Sequence, residues 1–159
     1  GVALHPRPFY TQGSGRVEID GLPEGAARVR VHARGFGRPA PVAVTIREAL
    51  ATPLEVTVRA ACTLRVTVVA GRDPVARARV EVRRAGSDEL VLPRRALRRP
   101  EDASGFGITP RTGVLVLDDL EEGAYRVTVS GSSAWAPTTV PFHVAPGRPT
   151  DVGITLQPR

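Results

Sequence analysis

The sequence predicts an all-β chain: an antiparallel β-sandwich preceded by a partial copy of the same unit. Three observations predict it. Apolar and polar residues alternate with period two through many short segments, the pattern of half-buried strands. Gly and Pro, 16 and 15 of the 159 residues, mark turns between those segments. The chain also repeats itself: a shift of 98 residues aligns 15–60 with 113–158 without a gap, with 13 identities in 46 positions. Among the matches, Asp20, Leu22, Gly25, Arg28, Val29 and Val31 fall on Asp118, Leu120, Gly123, Arg126, Val127 and Val129.

Taken in order, residues 1–14 carry Pro6 and Pro8 and read as an extended arm, with at most a short strand near Phe9 and Tyr10. Strands are expected at Val17–Asp20, Ala27–Ala33, Val42–Arg47 and Leu54–Arg59, with room for one helical turn over Ile46–Ala51. The second segment opens at Cys62 and predicts seven strands: 62–69, 75–84, 89–92, 114–117, 124–130, 138–144 and 151–156. The stretch from Asp118 to Val129 reads as strand, acidic turn closed by Gly123, and strand, in other words a hairpin. The copies are unequal. Residues 1–60 hold only the C-terminal half of the unit, whereas 61–159 hold all of it. The first copy therefore lacks the counterparts of 62–69 and 75–84, which leaves strand edges to be covered by something else. Starting at Gly1 without an initiator Met, the sequence reads as a piece of a longer protein.

The formal charge of +6 raises the possibility of a nucleic-acid partner. However, all 22 basic residues are Arg, and Lys, Asn and Met are absent, a skew that reads as high-GC codon usage. The arginines also alternate with apolar residues along strands, as on a solvated sheet face, so nucleic-acid binding is not expected. No apolar run reaches the roughly 18–20 residues of a membrane-spanning helix. Cys62, alone, forms no internal disulfide. Without Lys, no Lys–Asn or Lys–Asp isopeptide crosslink can form.

Few residues offer chemistry. Asp118, Asp119, Glu121 and Glu122 form a weak calcium candidate, since calcium collects several oxygen ligands. Half of those carboxylates are missing from the first copy, so a solvated turn is the expected reading. Trp135 could stack on a sugar; the alternative is packing over the end of the sandwich, with Tyr125 tethered by its hydroxyl as in a tyrosine corner. Arg94, Arg95, Arg98 and Arg99 crowd one loop and could dock an acidic partner or polyanion. His5, His32 and His143 lack metal-ligand spacing, and Ser132 and Ser133 lack a nucleophile elbow. Neither a cofactor nor a catalytic residue is expected. Leu120, Gly123, Tyr125 and Val127 are expected to be structural.

Two stretches carry a family resemblance: Leu64–Val68 with Pro74–Val82, and Gly113–Val129 closed by Val144–Gly147 and Val152–Leu156. Together they resemble the carboxypeptidase regulatory-like domain, a transthyretin-like (immunoglobulin-like) β-sandwich related to the Cna B-type repeats of bacterial surface proteins. The resemblance implies a non-catalytic spacer or protein–protein interaction module of a larger bacterial protein, secreted or at the cell envelope. Its implied partners are other domains of the same polypeptide or a protein partner. Two alternatives remain open: an accessory carbohydrate- or polyanion-binding domain, or a regulatory domain of a peptidase lying outside these residues. A His-x-x-Glu zinc motif, which the peptidase half would need, is absent.

Overall fold

The computed structural model describes residues 9–11, 13–48, 50–87, 90–91, 107–131 and 133–159. Among them there is no helix; the ordered elements are all strands. The chain divides into two compact units. One comprises the chain up to Val29 with Pro41–Glu55, and the other Arg30–Ala40 with Val56–Arg159.

The first unit is a two-stranded antiparallel ribbon of β1 (Gly25–Val29) and β2 (Val42–Ile46). Its pairs run from Gly25 with Ile46 to Val29 with Val42. The strands expected at Val17–Asp20 and Leu54–Arg59 do not form, nor do the strand at Phe9–Tyr10 and the helical turn near Ile46. The second unit explains the first two absences. There the segments 98 residues further on pair with a strand that begins at Cys62, and among the described residues of the first unit no strand takes that place.

The second unit is a sandwich of two sheets. In one, β3 (Cys62–Ala70) is central. It pairs in parallel with β11 (Thr150–Thr155) and antiparallel with β4 (Asp73–Pro74) and β8 (Val114–Leu120). In the other sheet, β10 (Thr138–Val144), β9 (Gly123–Ser130) and β5 (Arg79–Arg84) lie side by side. The two-residue strands β6 (Leu90–Val91) and β7 (Gly107–Ile108) also pair with β5. Period-two alternation works as expected: Leu64, Val66 and Val68 of β3 and Tyr125, Val127 and Val129 of β9 point inward and are fully buried. Val80, Val82, Leu117, Ile154 and Leu156 join them in one core. Pro141 sits on β10, an edge strand, where no ladder donor is needed on the open side.

Two further expectations, both in the second unit, need correction. Residues 75–78 belong to a turn, not to the strand expected to start there, and Arg77 adopts a left-handed φ of 59°. Thr109 holds this turn. Its hydroxyl donates to Val75 O at 2.7 Å and accepts from Ala78 N at 2.9 Å, with Thr109 and Ala78 buried and Val75 half-buried. Thr109→Val keeps the shape but leaves that N–H and carbonyl unpaired, so we expect a loss of about 1–3 kcal/mol in urea unfolding. The second correction concerns the acidic turn. β8 and β9 are not partners in a hairpin; they lie in different sheets, so Glu121–Glu122 is a corner between the layers. A hairpin and a corner demand the same inward alternation, and only the pairing partners separate them.

The two units share a register. Adding 98 to both members of each β1–β2 pair converts all five into β9–β10 pairs; Gly25 with Ile46, for example, becomes Gly123 with Val144.

Candidate functional site

The richest polar constellation among the described residues gathers at this corner, and it forms because of an irregularity in β8. Leu117 faces the core, so Asp119, two residues on, faces the same way. A bulge opposite Cys62 and Leu64 then turns Leu120 inward as well. Asp119 and Leu120 are both buried as a result, at 3% and 0% exposure. A buried carboxylate needs a partner, and Arg38 supplies it with a guanidinium–carboxylate ion pair. Backbone contacts lay the Arg38 segment on the corner. Arg38 N donates to Asp119 O at 2.8 Å, and Gly37 N donates to Arg59 O at 2.8 Å. Gly37 has to be glycine, because a Cβ there would lie 2.7 Å from Leu120 O and 2.8 Å from Glu121 Cα.

Arg84, at the end of β5, locks the corner from the other side. Its guanidinium donates to Glu121 Oε2 and to Arg38 O, both at 3.1 Å, and lies 5.5 Å from the Tyr125 ring centroid. Tyr125 OH donates to Glu121 O at 2.8 Å, and its ring stacks on Phe142 at 5.8 Å. Burial pushes the Tyr125 hydroxyl above the usual tyrosine range, with Arg84 pulling the other way. Burial also raises the Cys62 thiol, helped by the charge of Glu122. A buried thiol held protonated is a poor nucleophile.

The four acidic residues proposed for calcium are thus divided. Asp119 is committed to Arg38 and Glu121 to Arg84, whereas Asp118 and Glu122 are exposed. Among the described residues, no group of three or more His, Cys, Asp or Glu side chains is arranged to hold a metal. Trp135 is half-buried against the core. Its ring lies over Gly131, where a Cβ would come within 2.7 Å of it, and its backbone bridges to Pro158. The loop with Arg94, Arg95, Arg98 and Arg99 lies outside the described residues. His143 is exposed on β10. Arg38 and Arg84 went unnoticed in the sequence, although the parity of Asp119 with Leu117 was a readable sign that its carboxylate needed a cation.

No protein-family model matches the chain, and no curated protein matches it. Solved structures do. The minor pilin GBS52 of Streptococcus agalactiae superposes with a TM-score of 0.52 at 15% identity, over 89% of this chain and 63% of its own. A streptococcal ancillary pilin gives 0.47 at 14% identity, over 87% of this chain and 43% of its own. The major pilin BcpA of Bacillus cereus gives 0.45 at 13% identity, over 87% and 41%. At such identities the likeness to the minor pilin speaks for the fold alone, an all-β, pilin-domain-like architecture. This chain spans less than two thirds of that pilin's length.

Proposed function

We propose that the chain is a non-catalytic structural module of a larger surface or secreted protein, built from one complete sandwich (61–159) and the C-terminal half of a second (1–60). The single observation that carries this reading is the clamp at the acidic corner. The most elaborate polar network among the described residues is spent on bracing the corner of the second unit, where Arg38 pairs with Asp119 and Arg84 with Glu121, and such bracing is what a spacer requires. The shared register of β1–β2 and β9–β10 supports the half-copy. The fold likeness to a pilin supports the surface location and the expectation of protein partners. The packing of Trp135 speaks against its use as a sugar platform.

Native-state hydrogen exchange and a ligand screen test this together. The amides of Gly37 and Arg38 are expected to exchange as slowly as those of the core strands, with no saturable binding to heparin or a glycan array. Fast exchange at Gly37, or glycan binding lost in Trp135→Ala, would overturn the reading in favour of an accessory binding domain.

A further inference from the structure

One glycine is not required by the packing around it. Gly153 lies in the interior of β11, where glycine costs about 0.5–1 kcal/mol relative to alanine. Its φ lies outside the left-handed region, and its strand pairs with β3 without a bulge from Thr150 to Thr155. A Cβ added to it would meet nothing within 4 Å. The remaining reason for glycine inside a strand is the close approach of something from outside.

Gly153 sits on the outer face of the sheet formed by β11, β3 and β8. The alternation that buries Val66, Val68, Val152 and Ile154 turns Arg65, Thr67, Asp151 and Gly153 outward. Across the two strands Gly153 stands beside Thr67, and Asp151 beside Arg65. Arg65 and Asp151 lie 3.4 Å apart with both side chains at least half exposed, a pair worth little within one chain. On the far side of Arg65, Val116 is 52% exposed, the highest value among the large apolar side chains described in the second unit. The outer face of the other sheet, by contrast, carries Arg79, Arg83 and Arg126 against Glu81. For a chain of formal charge +6, the β11–β3 face is therefore the one on which two copies meet with least repulsion.

We infer that this face binds the same face of a second copy of the chain, about a two-fold axis running along the strands between β3 and β11. That axis sets Thr67 of each copy over the hollow at Gly153 of the other. It also sets Arg65 over Asp151 in both directions, as a self-complementary contact requires. Val116 then packs against the edge of the other copy's β11. Sheets stacked in this aligned way interdigitate side chains about 10 Å apart, and the missing side chain at Gly153 is the gap that one of them fills. A face this narrow buries less than about 1,200 Å² in total, so the contact is weak and transient. Tethered neighbours reach the millimolar effective concentrations that populate it. Every residue involved lies in the second unit.

Sedimentation and NMR titration of the full chain up to millimolar concentration test this. Self-association is expected, with concentration-dependent amide shifts confined to 63–69, 114–116 and 151–155. Gly153→Val fills the hollow where the single chain has room, so it should fold at least as stably in urea. It should nevertheless weaken association by about tenfold or more. Arg65→Asp and Asp151→Arg should each abolish association alone and restore it when the two proteins are mixed, because opposite charges then face each other on both sides of the axis. Four results would overturn the inference: a chain that stays monomeric at millimolar concentration, shifts that map to another face, a folded Gly153→Val protein that associates like the parent, or charge variants that fail to pair on mixing.

Discussion

Asp119→Ala is expected to destabilise the sandwich by about 3–5 kcal/mol, the cost of leaving a buried guanidinium without its carboxylate. The Asp119 side chain is 4% exposed and that of Arg38 13%, so water can replace little of the pairing. For a domain of this size the melting temperature should fall by more than about 10 °C. The double variant Arg38→Met with Asp119→Leu is expected to recover most of the loss, because two packed apolar side chains need no charge compensation. Thermal and urea unfolding of the three proteins decide the matter. A loss below about 1 kcal/mol for Asp119→Ala would mean that the pair is solvated and that the clamp holds nothing in place.

Gly113→Ala should cost about 3 kcal/mol, from two separate sources. Gly113 adopts a left-handed φ of 69°, and a Cβ there would lie 2.6 Å from Val68 O and 3.0 Å from Pro74 Cβ. The contact cannot relax easily, since Gly113 O accepts from Val68 N at 2.9 Å and Gly113 N donates to Pro110 O at 2.9 Å. Gly71→Ala is the control. Its φ is 63° with nothing within 4 Å of the added Cβ, so it should lose only about 1 kcal/mol to backbone strain. Equal losses in the two variants, measured by urea unfolding, would show that the β3–β8 junction yields to the methyl.

Strand identity in the second unit was legible because alternation is a local property: Leu64, Val66 and Val68 announce their own burial. Pairing was not. Asp118–Val129 reads the same whether its strands share a sheet or, as here, belong to two. Val17–Asp20 and Leu54–Arg59 were misread for a related reason. They alternate well, but a strand also requires a neighbour, and theirs would have been the absent counterpart of β3. The clamp was half visible, through Asp119. Arg38 and Arg84 lie 81 and 37 residues from the acidic residues they pair with, and nothing local marks these two arginines as the ones that meet the corner.

The parallel pairing of β11 with β3 has a mechanical consequence. The first long strand of the sandwich and its last run side by side in the same direction, from Leu64 beside Thr150 to Val69 beside Thr155. A pull applied at Cys62 and at Thr155 therefore acts at opposite ends of the pair and drags the two strands lengthwise past each other. All the rungs between them take the strain at once, whereas a hairpin pulled at its open end would surrender them one by one. Tension along the chain thus meets the sheet in its stiffest direction.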